Sequence, residues 1–223
     1  MNNNIKISLS LILTLALILT ACSTKKMVVS NEEAEPVIET SAIEAYPENV
    51  KEPFLFYVYK DKRDKANHYA PSGWMGDASD VNLNDSWPEN PYTGASCIKV
   101  SYRPGTLSGN RWVGMYWQNP PYNWGDKRGG FDLTAANKLS LWIRGEKGNE
   151  IINEIFLGGI SGDYSDSSKV TIGPITLTKQ WERVEVSLEN QDLSNISGGF
   201  GWSASRDSNL KGCTFYLDEI MYE

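Results

Sequence analysis

The stretch RWVGMYWQNPPYNWGDKRGGFDLTAANKLSLWIR, Arg111–Arg144, decides how this chain folds. It carries four of the eight tryptophans, Trp112, Trp117, Trp124 and Trp142. In Trp112–Trp117 the side chains of Trp112, Gly114 and Tyr116 face one way and those of Val113, Met115 and Trp117 the other, the period of two that a β-strand imposes. Leu139–Arg144 alternates in the same manner, Leu139, Leu141 and Ile143 against Ser140, Trp142 and Arg144. Between them, Asn119-Pro-Pro-Tyr-Asn-Trp-Gly125 cannot be helix interior. Its adjacent prolines remove backbone donors, and its Asn and Gly residues tolerate turn geometry. The stretch therefore reads as strand, rigid loop, strand.

Outward from it the pattern repeats. Phe54–Tyr59 reads as a buried strand, Lys60–Ala70 as a charged loop, and Pro71–Asp77 as a turn carrying Trp74. Val81–Leu83, Cys97–Tyr102, Ile151–Leu157, Val170–Leu177, Trp181–Leu188, Gly199–Ser203 and Thr214–Tyr222 read as further strands, roughly nine to eleven in all. No segment combines helical period with caps. The 19 glycines and 10 prolines suit many short strands and turns. The expected fold is all-β, a two-sheet antiparallel β-sandwich of jelly-roll type over residues 53–223.

Ahead of that domain, Met1–Lys6 is a short polar segment and Ile7–Thr20 an apolar run too short for a comfortable membrane span, the pattern of a signal peptide over residues 1–21. Leu19-Thr20-Ala21-Cys22 looks like a bacterial lipobox, which implies export and a lipid on Cys22, holding the chain to a membrane on the periplasmic side or at the cell surface. Residues 22–52, with Glu32, Glu33, Glu35, Glu39, Glu44, Glu48 and Glu52, bury too little to fold alone and read as an acidic flexible tether. A net charge of −7 without a basic patch argues against nucleic acid as a partner. Cys97 and Cys213 would sit in an oxidising compartment that permits a disulfide. Both lie near strand starts, however, which antiparallel pairing would separate. The sequence leaves that bond open.

Catalytic signals are poor. His68 is the one histidine, so any triad would have to use it, and its neighbours Asn67 and Tyr69 suggest a loop residue in a hydrogen bond. The acids are plentiful but unpatterned, whereas glycosidases need two carboxylates at a set separation. Glu146, Glu150 and Glu154 are spaced at four, but Gly145 and Gly148 disfavour a helix there. Gly158–Asp163 lacks the Lys-Ser/Thr ending and the following helix of a phosphate loop. The reading is of a protein that is not an enzyme.

The order Gly94-x-x-Cys-Ile-Lys-Val-x-Tyr102, Trp112-Val-Gly-Met-Tyr-Trp117 and Lys138-Leu-Ser-Leu-Trp-Ile-Arg-Gly145, followed by Trp181-x-Arg-Val-Glu-Val-x-Leu188 and Thr214-Phe-Tyr-Leu-Asp-Glu-Ile220, resembles a carbohydrate-binding-module jelly roll of the galactose-binding-domain-like superfamily. The resemblance implies a glycan as partner and a structural calcium where the last strand's acid meets the loop after the first strand. Asp218 matches that position, with Asp61 as a candidate second ligand. Sugar rings stack on aromatic faces while amides, carboxylates and guanidinium groups take the hydroxyl rim. Tyr122 and Trp124, in the stiff loop, are the leading candidates for carbohydrate binding, with Asn123 beside them. Trp117 and Trp74 come second, and Arg144 could reach a hydroxyl or an acidic sugar. Trp112, Trp142, Trp181 and Trp202 read as core or sheet-face residues. The expected function is a membrane-anchored lipoprotein that binds carbohydrate through an aromatic loop site. The alternative is an envelope or host-protein adhesion lipoprotein, with a protein partner on the same sandwich.

Overall fold

A computed structural model describes residues 53–105 and 109–223; the expected signal peptide, Cys22 and the acidic tether lie outside the described residues. Among the described residues thirteen strands follow one another: β1 Phe56–Tyr59, β2 Ala70–Gly76, β3 Val81–Trp87, β4 Cys97–Tyr102, β5 Trp112–Gln118, β6 Lys138–Gly145, β7 Ile151–Ile152, β8 Glu154–Gly158, β9 Lys169–Ile172, β10 Ile175–Thr176, β11 Glu182–Ser187, β12 Gly198–Ser205 and β13 Cys213–Tyr222. One sheet has the order β11-β6-β13-β4-β3, with β1 paired to β13 beyond the end of β4, and the other has the order β2-β5-β12-β8-β9. Every pairing is antiparallel, and β7 and β10 form a small separate ribbon. The expected all-β sandwich is the observed fold.

The core lies between the two sheets. Ile98, Val100, Leu141, Ile143, Phe215 and Leu217 come from the first sheet, and Val113, Met115, Ile155, Leu157, Phe200 and Trp202 from the second. Trp117 meets Phe200 edge-on at 5.2 Å and Trp202 meets Phe215 at 5.1 Å, the offset geometry that aromatic quadrupoles favour. Trp117, expected as a sugar platform, is therefore a core residue with 1% of its surface exposed. The alternation of β5 puts it on the same face as Val113 and Met115, and truncating it to Ala would cost about 3–5 kcal/mol.

Two further departures have simple causes. Pro71–Asp77 is not a turn: Ala70–Gly76 forms an edge strand, where Pro71 faces no demand for an inner ladder donor and a register shift between Pro71 and Gly73 absorbs the irregularity. Ile151–Leu157 and Val170–Leu177 each break in two, at Asn153 and at Gly173-Pro174.

The cysteine question is settled by register. Cys213 pairs with Tyr102 and Leu217 with Ile98, so Cys97 lies five positions away along the ladder, roughly 17 Å at strand rise, far beyond the Cα separation a disulfide spans. Both thiols are free and buried, and burial pushes them up to about 11 and about 12, which keeps them neutral and inert. Neither should react with an aromatic disulfide reagent in the native protein, and both should react after unfolding in denaturant without reductant. A thiol titration reads this directly.

Candidate functional site

The sandwich has two outer faces, and they differ in what covers them. On the first sheet the outward residues form a row in which cations alternate with rings. Lys99 lies 3.7 Å over Trp87 and 5.6 Å from Tyr216, while Arg144 lies 3.7 Å over Tyr216 and 5.1 Å from Trp181. The loop before β4 folds across this row. Tyr92 stacks on Trp142 at 3.7 Å, and the Trp181 indole N–H donates to the Asn90 carbonyl. Trp142, Trp181 and Arg144 are thus engaged by their own chain, and Arg144 sits on the opposite sheet from the loop that carries Tyr122 and Trp124.

Asp218 and Asp61 pin that covering loop. The buried Asp218 carboxylate accepts the backbone N–H groups of Tyr92 (2.8 Å), Thr93 (3.3 Å) and Glu219 (2.9 Å). Asp61 accepts those of Ala95 and Ser96 and the Ser96 hydroxyl. Gly94, at φ +64, makes room for the Asp61 carboxylate, since a Cβ there would come within 2.1 Å of it. Both carboxylates accept mainly backbone N–H bonds, and among the described residues no three His, Cys, Asp or Glu group as metal ligands, so a calcium on Asp218 and Asp61 would need carbonyl oxygens for the rest of its shell.

Burial raises Asp218 to about 7, against the pull of its three N–H donors. The folded state therefore holds this proton where the unfolded chain, with a carboxyl near 4, has released it. By linkage, stability falls as pH rises from about 4 through about 7. A melting series across that range should show the decline, and Asp218→Asn should flatten it.

The outer face of the second sheet is open. A groove of about 570 Å³ runs across it, lined by Met75, Trp112, Tyr116, Glu154, Phe156 and Lys169, with Asn153, Pro174 and three residues of β12 completing the wall. Its shape follows from glycine. Gly73, Gly114 and Gly201 occupy outward positions on β2, β5 and β12, where a Cβ at Gly201 would fall 1.9 Å from the Phe156 ring. Trp112 lies down on Gly76 and Gly114: a Cβ would meet its ring at 3.1 and 3.3 Å respectively. The Trp112 indole thus packs against the backbone of two glycines, and 39% of the residue stays exposed. Tyr116 meets Phe156 at 4.7 Å, and its hydroxyl donates to the Gly158 carbonyl.

At the far end of β5 the expected loop rises beside the groove. Trp124 stands perpendicular to Tyr116 at 5.8 Å and is 45% exposed, and Tyr122 is 68% exposed. Their stiffness comes less from the prolines than from buried polar groups beneath. Ser72 donates to the Gln118 amide oxygen and accepts the Tyr122 N–H, while Gln118 donates to the Asn123 carbonyl. Asn123, expected at the hydroxyl rim, is buried; its amide accepts from the Gly125 and Lys127 N–H groups and donates to the Lys127 carbonyl. It shapes the loop and presents nothing to a solute. Tyr122 at φ 61 shows the effect of this scaffold, because a non-glycine residue keeps such a conformation only where its surroundings impose it. Trp74 is 37% exposed but pairs in register with Met115, which puts it on the inner side of its edge strand, away from the groove.

The structure therefore brings together Trp112, Tyr116, Phe156 and Trp124, with Tyr122 outermost, and leaves Trp74, Trp117 and Arg144 elsewhere. Glu154 and Lys169 in the groove had no sequence signal of their own. Trp112 did: it shares an alternating face with Gly114 and Tyr116, and a glycine between two rings marks a place where a ring can lie flat.

No protein-family model matches this sequence, and no curated protein matches it either. Solved structures do. A family 30 carbohydrate-binding module superposes with a TM-score of 0.52 at 17% identity, covering 76% of this chain and 98% of its own. The family 30 module of a cellulosomal cellulase of Clostridium thermocellum gives 0.47 at 16%, covering 76% and 97%. A family 11 module from the same organism, in complex with a β-1,3-1,4-mixed-linked tetrasaccharide, gives 0.44 at 17%, covering 69% and 85%. The chain has the jelly-roll sandwich fold found in carbohydrate-binding modules.

Proposed function

We propose that this chain is a non-catalytic, lipid-anchored glycan-binding protein whose ligand lies along the groove on the outer face of the β2-β5-β12-β8-β9 sheet. The observation that carries this reading is the contrast between the two faces. On one, Tyr92 and its loop cover Trp142, whereas on the other Trp112 packs against glycine backbone and keeps 39% of its surface exposed. An indole fixed in this way loses little freedom when a sugar ring stacks on it. Trp112 and Tyr116 stand four positions apart on β5, about 13 Å at strand rise; Tyr116 is itself buried, so the exposed rings are Trp112 and, beyond Tyr116, Trp124, a separation that suits a chain of sugars rather than a single ring. The jelly-roll likeness to carbohydrate-binding modules supports the same ligand class. Glu154 is the one carboxylate lining the groove, where hydrolysis by acid and base would call for two.

Calorimetric titration of the purified protein with oligosaccharides of increasing length tests the site. Affinity should climb with length until the row is filled. Trp112→Ala and Trp124→Ala should each lose roughly 1–3 kcal/mol of binding, by analogy with base stacking, with unchanged melting. Binding that survives the double substitution in a folded protein would refute the groove.

The lipid anchor rests on Leu19-Thr20-Ala21-Cys22. Metabolic labelling with radioactive palmitate should mark the protein in a bacterial host and fail to mark Cys22→Ala, which should appear in the soluble fraction.

A further inference from the structure

The groove carries two charged side chains of opposite sign that its own chain leaves unpaired. Glu154 and Lys169 line it, and neither carboxylate nor ammonium has a hydrogen-bond or ion-pair partner among the described residues. Beside them the Asn153 amide donates to Ser208 at 2.9 Å, while its oxygen is buried without a partner. The two charges do not neutralise each other, and the register says why. Glu154 pairs with Ser203, Phe156 with Gly201, and Lys169 with Gly158, so the charged residues lie on one face with Phe156 midway, roughly 13 Å apart along the strands. A ligand lying over Phe156 meets an acceptor-only group at one end and a donor-only group at the other.

We infer that Glu154 is the charge selector of the groove, accepting from the hydroxyls of an uncharged glycan and turning away chains that carry carboxylates or sulfates. This rests on the glycan-binding reading above. A neutral sugar satisfies both ends, because a hydroxyl donates to Glu154 and accepts from Lys169. A polyanionic chain has an acidic group on successive rings. Whatever Lys169 gains from one of them, another is carried toward Glu154, in a protein that already bears a net charge of −7.

The test compares wild type, Glu154→Gln, Glu154→Gln with Lys169→Gln, and Trp112→Ala by calorimetry. The probes are neutral glucan, mannan and xylan oligosaccharides on one side and oligogalacturonate on the other. Wild type should bind a neutral chain and not oligogalacturonate. Glu154→Gln should weaken neutral binding, since an amide oxygen accepts a hydroxyl less strongly than a carboxylate, and should gain the acidic chain by roughly fivefold to tenfold, the size of one close charge contact in a wet site. That gain should vanish at high salt and in the double variant. Wild type binding oligogalacturonate as tightly as its best neutral chain, or Glu154→Gln gaining nothing, would overturn the selector while leaving the groove in place. Absence of binding to every probe, or Trp112→Ala behaving as wild type, would instead overturn the groove and the selector with it.

Discussion

β5 is the strand on which both halves of this molecule depend. It lies between β2 and β12, and its residues alternate between two environments that have nothing in common. Val113, Met115 and Trp117 fill the space between the sheets, while Trp112, Tyr116 and Gln118 build the open face and the support of the loop beyond it. A slip of one residue in its pairing would send the tryptophan of the core into water and the tryptophan of the groove into the core. Burial of the inner set, at about 1.5–3 kcal/mol for each large apolar side chain, therefore fixes where the outer rings stand. The geometry of the outer face is inherited from the packing of the interior.

Aromatic side chains are abundant on both outer faces, so abundance cannot mark the site. What separates the faces is whether each ring's second surface is already spoken for. On the first sheet, guanidinium, ammonium and tyrosine lie over the rings at 3.7 Å. On the second, Trp112 packs against glycine backbone and stays exposed. Two carboxylates pinning a loop on one face and an unpaired carboxylate on the other express the same division: one surface is finished by the chain itself and the other is left incomplete.

Much of this was legible in the sequence. The alternation in Trp112–Trp117 and Leu139–Arg144 gave the strands and their inward residues, and the rigid Asn119–Gly125 loop gave the exposure of Tyr122 and Trp124. Trp117 was misplaced although the same alternation, taken literally, put it with Val113 and Met115. Its position at a strand end beside the loop outweighed the period. Asn123 and Arg144 could not have been resolved without coordinates, since whether an amide faces a ligand or its own backbone depends on what folds around it. The Pro71–Asp77 segment misled for a related reason: proline and glycine signal turns, but at a sheet edge they are tolerated, and here the glycine makes way for Tyr116.

The pairing of β1 with the end of β13 has a mechanical consequence. Phe56 lies opposite Tyr222, so the chain enters the domain beside its last strand, in the sheet that does not carry the groove. Any tension transmitted along the polypeptide from ahead of residue 53 is taken up by four residues of β1. That load does not pass through β5 or the rings that stand on it. Peeling β1 away would release the pull at one margin of the first sheet and leave the pairing of the opposite sheet intact.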